Sequence, residues 1–170
     1  MTRWLPALAL LAACAQPAAP CVQVGLAEQA FGDALQSLSL VCPECKTPQL
    51  LPSEAVDPAC VFFIGPRIRV VYNRPELERI ASRYGYPAIV GIFGHELGHL
   101  IDHHGGKRTD ELSADMWAGC TLGIAGLPVS PLGAYLDDEG TKVDGTHPAP
   151  PKRKDAIADG AEACSQIWDD

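Results

Sequence analysis

The sequence predicts an α+β domain, mostly helical with a small sheet, and three observations carry that prediction. Much of the chain after residue 25 repeats apolar residues at helical spacing. One stretch, Val61 to Tyr72, is instead rich in β-branched and aromatic residues, with a break at Gly65-Pro66. A third stretch, His95-Glu96-Leu97-Gly98-His99, lies in a helical run from about Pro87 to His103. It puts two histidines at i and i+4, on one helix face.

At 170 residues and 47% hydrophobic content, the chain can bury one ordinary core, and residues 26–170 read as a single domain. A formal net charge of −8 argues against nucleic acid as a partner and leaves no polybasic patch for a membrane surface. Residues 1–13 read as a targeting signal. Arg3 supplies a charge, and the apolar run Trp4 to Ala13 is too short to span a bilayer. Leu11-Ala12-Ala13-Cys14 resembles a bacterial lipobox. That resemblance implies lipidation of Cys14 and a membrane anchor, placing the protein at the outer membrane facing the periplasm. The alternative is a plain secretory signal. Residues 14–25, rich in Pro and Ala, read as a tether.

Leu26 to Leu40 is an amphipathic helix with Ala27, Ala30, Phe31, Ala34, Leu35 and Leu38 on one side; without basic residues it suits core packing better than a membrane. Setting Cys14 aside leaves Cys21, Cys42, Cys45, Cys60, Cys120 and Cys164. In an exported chain, six cysteines point to disulfides, with 15 pairings open. Cys42-Pro43-Glu44-Cys45 also fits a redox pair or half of a structural zinc site, although no second CxxC completes one.

Val61 to Tyr72 reads as strand, at the edge of a cleft or in the body of a sheet. Asn73 and Glu76 together read as a capping box for the next helix, which buries Leu77, Ile80, Ala81 and Tyr84. Pro87 then opens the histidine helix, whose Ile89, Ile92, Phe93, Leu97 and Leu100 face the core. Gly91, Gly94 and Gly98 weaken that helix by about 1 kcal/mol each, so they mark close approach by backbone or substrate. His103 and His104 read as solvated helix-end residues.

A further helix runs from Glu111 to about Gly123. Cys120 falls opposite Glu111 on it and is expected to pair with Cys164 near the chain's end. Ser130-Pro131 starts a short helix, Asp137 to Gly145 reads as a loop, and a last helix runs from about Lys152 to Cys164.

The chemistry follows from two i,i+4 pairs. His95 and His99 can hold one metal ion, with Glu96 beside the first as a general base for a water on it. Glu111 and Asp115 repeat the spacing. Glu111 supplies a third ligand, and Asp115 accepts a hydrogen bond from the far nitrogen of a ligand histidine, His95. Three protein ligands leave a position open for water, and the cation that suits this set is a single zinc ion. The competing class is a non-catalytic zinc scaffold or assembly factor with the position plugged. A thiol oxidoreductase using Cys42 and Cys45 is a third option.

The string His-Glu-Leu-Gly-His, followed by Glu111-Leu112-Ser113-Ala114-Asp115 and by Thr146-His147-Pro148 with Arg153, resembles the gluzincin metallopeptidases. Within them it is similar to the HtpX and CAAX-protease-like family. The resemblance covers about Val70 to Gly160, with only eleven residues between His99 and Glu111. It implies a zincin-like minidomain, hydrolysis of peptide bonds in protein or peptide substrates, and a place near the metal for His147. There His147 serves as an oxyanion donor or as a gate over the open position; otherwise it is a plain loop residue. The metzincin pattern fails, because Asp102 and Gly105 stand where its Gly and third His belong.

Overall fold

A computed structural model describes residues 25–107, 110–139 and 147–165. The expected signal, Cys14, most of the tether, Cys21 and most of the 137–145 segment lie outside them. The described residues form six helices and one three-stranded sheet, an α+β architecture. None of their helices is long and apolar enough to cross a membrane.

Helix α1 (Leu26–Val41) opens the domain and buries Ala27, Ala30, Phe31, Ala34 and Leu38. The strands are β1 (Gln49–Pro52), β2 (Ala59–Ile64) and β3 (Arg67–Tyr72). Gly65 takes a φ of 58° at the turn between β2 and β3, a backbone only Gly adopts cheaply. The sheet order is β1-β3-β2, so β2 is an edge strand. It pairs antiparallel with β3, Val61 opposite Val70, while β1 pairs parallel with β3 on the other side.

Strand β1 has no counterpart among the sequence expectations. It is four residues long and ends on Pro52, and its partner strand is distant in sequence, so no local pattern betrays it. The β1–β2 connection is anchored through Asn73, whose N–H donates to Pro58 O at 2.8 Å. Asn73 also caps α2 (Arg74–Tyr84), accepting from Glu76 N at 3.3 Å. The capping box is only half made: the Glu76 carboxylate turns to Arg79 instead, at 2.6 Å.

Helix α3 (Tyr86–His104) is the axis of the fold. It is buried on nearly every side from Ala88 to Gly98, as its near-continuous apolar sequence requires. Phe93 is fully buried, with Phe31 and Tyr72 edge-on to it at 5.4 and 6.2 Å between ring centroids. Tyr86 anchors the first turn by donating to Asp33 of α1 at 2.6 Å.

Against α3 lies α4 (Glu111–Ile124), capped by Asp110, which accepts from Leu112 N at 3.0 Å. The two helices touch through glycines. A Cβ on Gly98 would stand 2.9 Å from Ala114 Cα, and one on Gly94 3.1 Å from Ala118 Cα. Side chains there would push α4 away, and Glu111 and Asp115 with it. Helix α5 (Ser130–Glu139) runs further than the sequence suggests. Asp137 and Asp138, expected in a loop, are helical and pair with Lys154 and Arg83 at 2.7 Å each.

Helix α6 (Pro150–Ser165) packs on α4 at backbone distance, where a Cβ on Gly160 would overlap the Met116 carbonyl. The bond Cys120–Cys164 joins these two helices across a sequence separation of 44, worth roughly 4 kcal/mol in the chain-entropy picture. Cys42 and Cys45 are bonded to each other across a separation of 3, for which the same picture gives only roughly 2 kcal/mol. Cys60 carries no disulfide among the described residues.

Candidate metal centre

Helix α3 carries His95 and Glu96 into the core, each about 8% exposed. Buried polar groups must find partners, and the partners here come from β2, α4 and α6. His95 Nδ1 faces Asp115 Oδ1 at 2.9 Å. Arg153 of α6 holds that carboxylate from behind with two bonds, Nε to Oδ2 and Nη2 to Oδ1, both 2.7 Å. With Nδ1–H donating to Asp115, Nε2 of His95 presents a lone pair toward His99 and Glu111.

Four side chains meet at that point. His95 Nε2 lies 3.1 Å from His99 Nε2 and 3.4 Å from Glu111 Oε2. His99 Nε2 lies 3.6 Å from Glu111 Oε1, and His147 Nε2 lies 3.1 Å from Glu111 Oε2. Adjacent donors around a tetrahedral ion with bonds of about 2.0–2.2 Å stand roughly 3.3–3.5 Å apart. All four separations fall within a few tenths of an ångström of that range. Glu111 Oε2 is buried and meets no donor in hydrogen-bonding geometry among the described residues, and His99 Nδ1 likewise has none. The unpartnered Glu111 Oε2 faces the imidazoles, and His95, Glu111 and His147 form a group that can hold a metal ion, with His99 hydrogen-bonded to His95 beside it.

The electrostatics agree. Burial works against a charged His95, but Asp115 and Glu111 outweigh it and push its pKa up to about 9. Burial also opposes ionisation of Asp115 and Glu111, yet Arg153 and His95 hold the first below the usual carboxylate range, and His95 the second. Burial and the neighbouring His95 pull His99 down. The pocket thus prefers one positive charge, and a metal can replace the proton.

Glu96 stands beside His95 and accepts from the backbone N–H of Val61 on β2 at 2.7 Å. Burial raises its pKa to about 7, against the pull of His95 and Val61. Beyond it opens a cleft of about 470 Å³, with Ile92, Leu132 and Leu136 on its apolar wall and His95, Glu96 and His147 on its polar side.

The structure therefore brings together His95, Glu96, His99, Glu111, Asp115 and His147. Asp102, in sequence only a mismatch to the metzincin pattern, is buried and accepts from Ser113 at 3.0 Å, tying α3 to α4 below His99. Arg153 is, in sequence, only a basic residue after His147, and its bond to Asp115 has no local signal. His104, expected as a solvated helix end, stands with Cys42 and Cys45 in a second group of potential ligands. No family model, curated protein or solved structure matches the chain.

Proposed function

We propose that this chain is a zinc-dependent endopeptidase of the cell envelope with a zincin-like fold, akin to the gluzincins its motifs resemble. The observation that carries the reading is the convergence of His95, His99 and Glu111 within 3.1–3.6 Å, with Glu96 beside them and Asp115 behind. These three residues would hold the ion. Zinc supplies Lewis acidity, which makes water a nucleophile near neutral pH.

The protein's own residues do the rest. Val61 N–H fixes one oxygen of Glu96, so the carboxylate takes the proton of the attacking water at its other oxygen and returns it to the leaving amine. Asp115 and Arg153 keep His95 in the tautomer that exposes Nε2. The apolar wall of the cleft suits a nonpolar side chain of an extended peptide. Lipidation at Cys14 would tether this activity to the outer membrane, facing the periplasm.

One observation favours a second reading. His147 Nε2 is 3.1 Å from Glu111 Oε2 and forms one group of potential ligands with His95 and Glu111. A fourth protein ligand fills the coordination sphere, as structural zinc sites do. On that reading the chain is an autoinhibited or non-catalytic scaffold for envelope proteins. Incubation with an unfolded outer-membrane protein, with and without a zinc chelator, separates the two. Chelator-sensitive cleavage that vanishes in Glu96→Gln supports the peptidase. Stoichiometric zinc without any cleavage, in wild type and in His147→Ala alike, supports the scaffold.

A further inference from the structure

Away from this centre, the outer end of α3 carries a second group of ligands. Cys42 caps the C-terminus of α1, and the turn that follows is closed by Cys45 N donating to Cys42 O at 3.0 Å. That turn presents both sulfurs to His104 in the last turn of α3. One ligand atom from each of Cys42, Cys45 and His104 lies within 4.8 Å of the others. Glu44, in the same turn, places Oε1 3.7 Å from His104 Nε2. The group borders a separate cavity of about 310 Å³, with Lys46, His103 and Phe63 on its rim.

The disulfide between Cys42 and Cys45 makes a poor brace. It closes a single turn and joins no two elements, whereas Cys120–Cys164 joins α4 to α6. A C-x2-C pair facing an imidazole from another helix is, by contrast, the donor set and spacing of a tetrahedral sulfur–nitrogen site. We propose that Cys42, Cys45 and His104, with Glu44 at the edge, form a second cation site that opens when the Cys42–Cys45 disulfide is reduced, and that it takes a thiophilic divalent ion of the zinc type.

The electrons and protons balance as follows. A dithiol reductant gives two electrons and two protons to the sulfur–sulfur bond and becomes a disulfide itself. Cys42 and Cys45 become thiols, and both lose their protons as the ion binds. His104 adds a neutral nitrogen lone pair, and the Glu44 carboxylate is within reach as the fourth donor. Two thiolates on one zinc at about 2.3 Å stand roughly 3.8 Å apart, a separation side-chain rotation within one turn can supply. The oxidised pair has no thiolate to offer, so the redox state of one turn decides whether the site exists.

The test uses the full chain, oxidised and after treatment with a dithiol, titrated with cobalt(II) and then zinc(II). Cobalt bound by thiolate gives a sulfur-to-metal charge-transfer absorption that histidine and carboxylate ligands do not. The reduced chain should take up one equivalent more than the oxidised chain and show that absorption. Cys45→Ser should abolish it. His104 is exposed, so His104→Ala should fold normally and lose at least about tenfold in affinity at this site. Equal stoichiometry in both redox states overturns the proposal. So does an absorption that survives Cys45→Ser, or unchanged affinity in His104→Ala.

Discussion

Helix α3 offers ligands to a cation at two levels, and the two levels are built differently. At the inner level His95 is buried in the core and held from behind by Asp115, which Arg153 holds in turn, with the half-buried His99 beside it. Five residues on from His99, about 7.5 Å along the axis, His104 is exposed, with the Glu44 carboxylate 3.7 Å away. There the other two ligands are held by a covalent bond to each other. The inner cluster is pre-organised by a layer of hydrogen bonds that a metal leaves intact. The outer cluster is pre-organised by a bond that a metal must find broken. Ligand identity alone therefore does not make a centre; what fixes the ligands decides when they are available.

The sharpest way to break this comparison is at Glu96. Glu96→Gln should lower peptide hydrolysis by about 10³-fold or more, since general-base removal is worth roughly 10²–10⁴, while one zinc per chain remains. Loss of the zinc in that variant would instead make Glu96 part of the metal cluster. Metal analysis beside a cleavage assay reads both.

The two disulfides give the next largest contrast. Denaturant melts of Cys120→Ser should show a loss of roughly 4 kcal/mol, against roughly 2 kcal/mol for Cys42→Ser. Equal losses would mean that the outer turn braces the fold as strongly as the α4–α6 bond does.

Asp115→Ala removes the inner cluster's support without touching the ligands themselves, so zinc affinity should fall about 10–100-fold. Arg153→Ala should fall at the lower end of that range. Unchanged affinity in a competition titration would leave Asp115 with a purely structural role. The smallest effect is expected at His147. If it covers the metal position at rest, His147→Ala should raise turnover by roughly twofold or more. A fall of about 10²–10³ in kcat with KM unchanged would make it the oxyanion donor.

What the sequence discloses about these regions follows its periodicities. The i,i+4 spacing by itself puts His95 with His99 and Glu111 with Asp115, because side chains four apart share a helix face. The β2–β3 hairpin is legible from its Gly65-Pro66 break, and α2 from Asn73. Features made by distant chain segments are not legible. β1 pairs parallel with β3 across intervening chain, Arg153 reaches Asp115 over 38 residues, and His104 meets Cys42 and Cys45 only because α1 packs beside α3. Asp137 and Asp138 look like loop by polarity, and the ion pairs that hold them helical come from other elements.

The Val61–Glu96 bond has a consequence for the company this molecule keeps. β2 is an edge strand, and an edge with free N–H groups is a template on which other extended chains assemble into aggregates. At Val61 the donor is already taken by a carboxylate from inside the fold, and a charge aimed at an edge is an effective deterrent. Gln at position 96 keeps an acceptor there. Ala would bare the amide and invite self-association, so a test of the proposed general base made that way would confuse lost chemistry with lost solubility.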